Sequence, residues 1–313
     1  MKVLFTADLH IKVGQRNVPR EWQKNRYIKL FNKLRELQKD VDLVVLGGDI
    51  FDKIPNMEEL ELYFTLVSIF TKRTIIFDGN HEATRKGKTF LINLAKATNR
   101  INKNVEIIDG DYTLDNMDFI PYTNIKSFDP SSYTGDILLT HVRGRIEPHV
   151  VPEIDLDKLS RWKRVFAGDL HAHSNSQLNI VYPGSPLSTS FHRKPIINGV
   201  IIFDSENTEY EWIDLKLPQL IRKTVDSESQ AIPTMIDHTI YEIVGNMAEL
   251  SRVDMENEFI DKKIISKPSD ANLKLSNMSI PEELALYLHD VIGLGDTEIN
   301  EIKGVYNDYI KNS

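Results

Sequence analysis

Two separate stretches of the chain close an apolar run with the same three residues. MKVLFTADLH carries Asp8 and His10, and RVFAGDLHAH carries Asp169 and His171. Side chains at i and i+2 of an extended segment project to the same side, so each copy should aim a carboxylate and an imidazole at one point. Other apolar runs end in kindred residues: Asp49 after DLVVLGG, Asn80 and His81 in the GNHE that follows RTIIFD, and His141 after DILLT. Carboxylates, amide oxygens and imidazoles are hard or borderline ligands suited to Mn²⁺, Fe²⁺, Zn²⁺ or Mg²⁺. The chain has no cysteine, which excludes thiolate metal sites, disulfides and cysteine nucleophiles together. A single Asp or His at the end of a strand is ordinary. Five strand ends furnished this way, with glycines beside three of them, point to one shared site.

Such residues need a scaffold that brings strand ends together. The strand candidates are KVLFTA, DLVVLGG, RTIIFDG, VEIID, MDFIPY, DILLTH, RVFAGD, NIVYPG and GVIIFD. Between the early ones lie helical patterns. In REWQKNRYIKLFNKLRELQKD, Tyr27, Leu30, Phe31, Leu34 and Leu37 recur at spacings of three and four. MEELELYFTLVSIFTK and KTFLINLAKA supply two more helices. Strand-helix alternation followed by consecutive strands predicts a layered α/β domain around a mixed β-sheet. In such sheets functional residues gather outside the carboxyl ends of the strands, where all of these candidates fall.

The character changes after Phe203. EYEWIDLKLP reads as a strand stopped by Pro218, and DSESQAIP is polar. HTIYEIVGN, a helical MAELSRVDMENEF and KKIIS then suggest a small β-α-β unit. SIPEELALYLHDVIG opens with a Ser-x-x-Glu capping box. The last helix, DTEINEIKGVYNDYIKN, carries Ile299, Ile302, Tyr306, Tyr309 and Ile310 mostly on one side. The expected organisation is a core over residues 1–205, a small α+β capping domain over 206–270 and a C-terminal helical segment over 271–313.

The formal net charge of −8 argues against a general nucleic-acid coat, which would be basic. It leaves room for an enzyme whose acids surround metal ions. Basic clusters occur at Lys72-Arg73, Arg85 to Lys88, Arg143 with Arg145, Arg161 to Arg164 and His192 to Lys194; singly, each reads as a solvated face. No apolar run approaches about 18 residues, so no membrane span is expected. The N-terminus reads as a first strand rather than a signal peptide, and a cytoplasmic location is the simple expectation.

DLH, GGD, GNHE, a lone strand-end His and GDLHAH together resemble the calcineurin-like binuclear metallophosphoesterases. GGDIFD and VYPGSPL resemble the SbcD branch of double-strand-break repair nucleases, over roughly residues 1–217, and the short chain resembles a phage-encoded version. The resemblance implies two divalent cations, Mn²⁺ first and Mg²⁺ second. It assigns Asp8, His10, Asp49 and His171 to one of them. Asp49 bridges to the other, completed by Asn80, His141 and position 169. That position is usually His in a GHxH motif; here it is Asp169, which adds charge and a harder oxygen donor. Glu82 stands where Asp is common, and Asp52 where some members carry a catalytic His. Two metals about 4 Å apart activate a bridging water for in-line attack on phosphorus, and His81 is expected to protonate the departing oxygen or hold the phosphate.

The implied partners are DNA, as double-stranded ends and some single strands, and an SbcC-like coiled-coil ATPase gripped by the C-terminal helices; a homodimer stays open. Two other readings remain open as well: a phosphodiesterase or phosphatase with a non-DNA substrate, and a scaffold without catalysis. His173 is a further ligand or substrate candidate, and Tyr122 a candidate for the rim of the site. His149 and His289 read as surface residues. Trp22, Trp162 and Trp212 read as core. RKGKT at 85–89 lacks the earlier glycine of a phosphate loop.

Overall fold

Apolar runs too short for helices and rich in Val, Ile and Leu become strands that are buried on both faces. A computed structural model describes residues 1–84, 88–245, 260–264 and 278–311. Its first eleven strands are β1 (Lys2–Thr6), β2 (Leu43–Gly47), β3 (Arg73–Phe77), β4 (Val105–Ile107), β5 (Tyr112–Leu114), β6 (Met117–Ile120), β7 (Ile137–His141), β8 (Arg164–Gly168), β9 (Ile180–Val181), β10 (Gly199–Asp204) and β11 (Tyr210–Asp214). The layered α/β arrangement expected from the sequence is present, and its strands divide between two sheets. One has the order β11-β10-β1-β2-β3-β4 and the other β5-β6-β7-β8-β9. β1 to β4 run parallel, as do β6 to β9, while β10 joins β1 antiparallel. The β10-β11 hairpin crosses residue 205 and keeps both of its strands in the first sheet.

The sheets meet face to face. Alternate residues of the first sheet (Val3, Phe5, Val45, Ile75, Phe77) join Phe119, Leu139 and Phe166 of the second in one core. Phe166 stacks on Phe203 at 4.2 Å between ring centroids. The intervening residues Leu4, Val44, Leu46 and Ile76 face outward, onto α1 (Arg20–Leu37) and α2 (Met57–Ser68). Tyr27, Leu30, Phe31 and Leu34 form the buried stripe of α1, as their spacing predicts. α2 starts at a capping box in which the Asn56 side chain accepts from Glu59 N while Glu59 accepts from Asn56 N. The third expected helix starts and ends later in the chain, as a tight turn at Leu91–Leu94 leading into α3 (Ala95–Ile101). On the far side of the second sheet, Leu138, Val165 and Ala167 are covered by Ile125, Leu156, Leu159 and Trp162 from loops and short turns.

Three later strands, β12 (Leu220–Val225), β13 (His238–Gly245) and β14 (Ile260–Ile264), form a sheet in that order. The helix expected over MAELSRVDMENEF lies outside the described residues. By compactness the described residues separate into a larger unit built on 1–223, 231–241 and 260–261, and a smaller one built on 224–230, 242–245 and those from 262 onward. In the smaller unit α4 (Ile280–Tyr287) begins at the expected Ser279–Glu282 capping box, and α5 (Asp296–Lys311) packs against it. Ile299 is buried, whereas Ile302 and Val305 are exposed. Among the described residues no helix is long and apolar enough to cross a membrane.

Candidate metal centre

The parallel strands β1, β2, β3, β7 and β8 all deliver their carboxyl ends to one place, and the backbone there leaves the extended conformation. Asp8, His10, Asp49 and Asp169 all have positive φ, +56°, +44°, +51° and +100°. Left-handed backbone at such residues is costly and is held only where the surroundings impose it. The surroundings are visible: Asp8 N donates to Gly48 O at 3.0 Å, His10 N to Asp49 O at 2.9 Å and Ile11 N to Ile50 O at 2.8 Å. Asp8 and His10 therefore converge because the chain turns left-handed after Thr6. The i, i+2 alternation of a strand expected for this pair does not apply beyond that residue.

The two sheets come close enough here that side chains are excluded. A Cβ on Gly79 would lie 2.2 Å from Asp49 Oδ1, and one on Gly168 would lie 2.5 Å from His141 Nδ1 and 2.8 Å from Gly47 O. Glu82 locks the loops from beneath. Fully buried, it accepts from Asp49 N and Gly79 N on one oxygen and from Phe51 N on the other, each at 2.9 Å.

Asp49 sits at the centre. Its Oδ2 lies 3.6 Å from His10 Nε2 and 3.8 Å from His81 Nε2, while its Oδ1 lies 3.6 Å from His141 Nε2. Three sets have ligand atoms within 4.8 Å of one another: Asp8, His10 and His171; His10, Asp49 and His81; and Asp8, Asp49 and His141. His10 Nε2 and His171 Nε2 face each other at 3.0 Å, and His171 Nε2 is 4.0 Å from Asp8 Oδ1. Asn80 Oδ1 lies 2.9 Å from His141 Nε2. With the amide turned, its nitrogen would stand 3.2 Å from both Asp169 Oδ1 and Asp49 Oδ2. All seven expected ligands are thus in one cluster, with His81 at its edge.

The donor set fits divalent cations. Burial, with His171 and His81 nearby, pushes His10 down to about 2, and burial also lowers His171; both are neutral imidazoles with lone pairs to offer. Their facing nitrogens have at most one proton between them, and the Asn80 amide stands beside the Asp49 and Asp169 carboxylates. Either arrangement is satisfied by a cation between the groups. Burial pushes Asp8 up to about 8, with Asp49 and Asp169 adding to it. Burial opposes charge on His141, yet Asp49, Asp8 and Asp169 hold it up at about 9. That His141 holds a proton against burial marks a surplus of negative potential from the three carboxylates, which metal binding would relieve.

Neighbouring side chains fix the ligands in turn. His141 Nδ1 donates to Gly47 O at 2.9 Å, which leaves Nε2 for the cluster. Thr189 Oγ1 lies 3.2 Å from His171 Nδ1, and Ser185 Oγ donates to Asp8 O at 2.7 Å, so the PGSPLST loop braces both DLH copies. The Tyr27 hydroxyl donates to His10 O at 2.5 Å. His81 Nδ1 bonds Asp52 O at 2.6 Å, which turns Nε2 toward the open side; His81 is 37% exposed against 2% for Asp49.

His173 is not part of the cluster. Its Nδ1 bonds Tyr182 O at 2.7 Å and its ring stacks on Trp212 at 5.2 Å. Tyr122 does border the site, edge-on to His141 at 6.1 Å. Trp162 is core, its Nε1 donating to the buried Asp118 at 2.8 Å, while Trp22 and Trp212 are half-buried. His149 and His289 are exposed. Residues 85–87 of the RKGKT stretch lie outside the described residues. Of the basic clusters, Arg143 reaches the site and pairs with Asp169, while Arg73 pairs with Glu106 and Lys163 with Asp136. The bracing roles of Glu82, Thr189 and Tyr27 leave no mark in residue type. Arg143 left one: it stands two residues after a strand-end histidine.

Comparison with known proteins agrees with this geometry. The calcineurin-like phosphoesterase family matches residues 1–165. "Probable exonuclease subunit 1" of Escherichia phage T5 is 38% identical over 323 aligned positions, covering 99% of both chains. "Putative phosphoesterase 244L" of Invertebrate iridescent virus 6 is 24% identical, covering 87% of this chain and 96% of its own.

Proposed function

This chain belongs to the calcineurin-like phosphoesterase family, and on that premise we propose that it is a Mn²⁺-dependent DNA nuclease, the nuclease subunit of an SbcCD-like recombination and repair complex. The observation that carries the reading is the single carboxylate of Asp49, whose two oxygens face different imidazoles. In this reading Asp8, His10, His171 and Asp49 hold one cation, and Asp49, Asn80, His141 and Asp169 hold the other. The bound cations supply Lewis-acid polarisation and a water of lowered pKa. Neutral His10 and His171 keep lone pairs aimed at the centre. Glu82 fixes the Asp49 backbone so that its carboxylate stays between the two sets. His81, anchored through Nδ1, presents Nε2 on the accessible side, where it serves as the general acid toward the leaving oxygen or holds the phosphate.

DNA as the substrate rests on the phage T5 relative, whose name includes both "exonuclease" and "subunit". Double-stranded ends are the first substrate and single strands the second. The proposed division keeps the nuclease in residues 1–205, a cap over 206–270 that orients the duplex, and a partner-binding segment from 271. Exposed apolar side chains at Ile280, Tyr287, Val291, Ile292 and Val305 support a docking role for the last of these, with a coiled-coil ATPase as the occupant. Host cytoplasm is the matching location. The test is degradation of end-labelled duplex and single-stranded DNA in Mn²⁺, with Mg²⁺, EDTA and Asp49→Ala controls. Mn²⁺-dependent cleavage lost in the variant is expected. Intact DNA beside hydrolysis of a small chromogenic diester, with the ATPase partner present, would replace DNA with a small substrate.

A further inference from the structure

At position 169, where the resemblance leads one to expect a histidine, the chain carries an aspartate, and the structure shows what accompanies it. Arg143 Nε donates to Asp169 Oδ2 at 3.1 Å and an Arg143 terminal nitrogen donates to Oδ1 at 3.2 Å. This is the two-pronged pairing in which a guanidinium matches a carboxylate best. We infer that Arg143 is a positioning residue that makes Asp169 a charge-neutral ligand, so that the Arg143–Asp169 pair stands in for a neutral imidazole. The inference rests on the metal-centre reading above.

Asp169 could not easily be left alone. Its side chain is 6% exposed, and its own N–H is held by both oxygens of Asp8, at 3.0 and 3.2 Å. The strained backbone at φ +100° and that anchor fix where the carboxylate points. Asp8 and Asp49 already bring two buried carboxylates to the cluster. A third without compensation would be an unpaired charge among like charges. The Arg143 guanidinium, 41% exposed, caps it from the solvent side. Each Asp169 oxygen donates one lone pair to Arg143 and keeps another, and Oδ1 lies within 3.2 Å of the Asn80 amide. The result is an oxygen donor of imidazole-like net charge. It makes the second position harder in ligand type without making it more anionic.

The test is a cycle of Arg143→Ala, Arg143→Lys, Asp169→His and the double variant Arg143→Ala/Asp169→His, read by EPR titration with Mn²⁺ alone, in which the free ion gives the signal. Folding of each variant is checked by circular dichroism. Removing a monocation one carboxylate away from a dication should tighten binding at one of the two positions by about tenfold, even at the dielectric of water. Arg143→Lys, which keeps the charge, should stay within about twofold of wild type. In the Asp169→His background no carboxylate holds the exposed guanidinium beside the site and it is free to turn to solvent, so Arg143→Ala should shift binding less than about twofold. Weaker Mn²⁺ binding in both Arg143→Ala and Arg143→Lys would mean that the guanidinium only orients Asp169, and would overturn charge cancellation. Unchanged Mn²⁺ binding with a raised KM for DNA in both backgrounds would make Arg143 a substrate contact and overturn it too. Wild-type protein that binds no Mn²⁺ would overturn the metal centre itself, an outcome distinct from two bound ions with no coupling between Arg143 and Asp169.

Discussion

Glu82 offers the sharpest test of how the cluster is held. It is fully buried, and its two oxygens accept three backbone N–H groups, from Asp49, Gly79 and Phe51, all at 2.9 Å. Burial and the nearby Asp49 push this acid up to about 8, while three donors favour the ionised form, which only accepts. Glu82→Ala strands three donors in a site too tight for easy hydration. At about 1–3 kcal/mol per unsatisfied group, and with some recovery by water, the expected loss is about 3–6 kcal/mol. That is a large part of a typical stability of about 5–15 kcal/mol. Glu82→Gln can keep its oxygen on Asp49 N and Gly79 N but turns its NH₂ toward Phe51 N–H. It loses one bond, gains a donor-donor conflict and sheds the repulsion from Asp49, so about 1–3 kcal/mol is expected. Trp22, Trp162 and Trp212 all belong to the larger unit, so urea unfolding followed by tryptophan fluorescence reads the relevant transition. The reasoning is refuted if Glu82→Ala stays within about 1 kcal/mol of wild type, or if Gln is as damaging as Ala.

The remaining predictions concern the site and the core. His81→Gln should lower kcat on DNA by about 10²–10⁴-fold while Mn²⁺ affinity, measured by calorimetry, changes little; equal loss of both would make His81 a ligand. Gly79→Ala, whose Cβ would meet Asp49 Oδ1 at 2.2 Å, should abolish Mn²⁺ binding and activity together. Mn²⁺ at about a hundred times its Kd should stabilise the wild-type protein by about 2.7 kcal/mol, seen as a raised Tm that EDTA reverses and Asp49→Ala lacks. Asp118→Asn, in a buried carboxylate that accepts from Trp162 Nε1, Gly135 N and Thr113 Oγ1, should cost about 1–3 kcal/mol in urea unfolding without changing metal affinity.

Much of the site is legible in the sequence because its chemistry sits at strand ends, and strand ends are where apolar runs stop. Asp8, His10, Asp49, Asn80, His141, Asp169 and His171 could be named from that rule, and the structure brings them together. How they converge was not legible. Left-handed backbone at Asp8, His10 and Asp49 goes with pairing between the 8–11 and 48–50 segments, a contact across about forty positions of chain. The division into two sheets was hidden for a similar reason. Strands buried on both faces read alike whichever sheet they join, and β5 is too short and too exposed to announce itself. Arg143 read as a solvated cation because its partner lies 26 residues away. Trp212 could be placed in a strand but not beside His173, since the stack is made across the fold.

The central claim is that this cluster is a binuclear centre shared through Asp49. Crystals soaked in Mn²⁺ and measured for anomalous scattering at the manganese edge test it directly. The account predicts two peaks, one touching Asp8, His10 and His171, the other touching Asn80, His141 and Asp169, with Asp49 contacting both. A single peak, or two peaks without Asp49 between them, would contradict it.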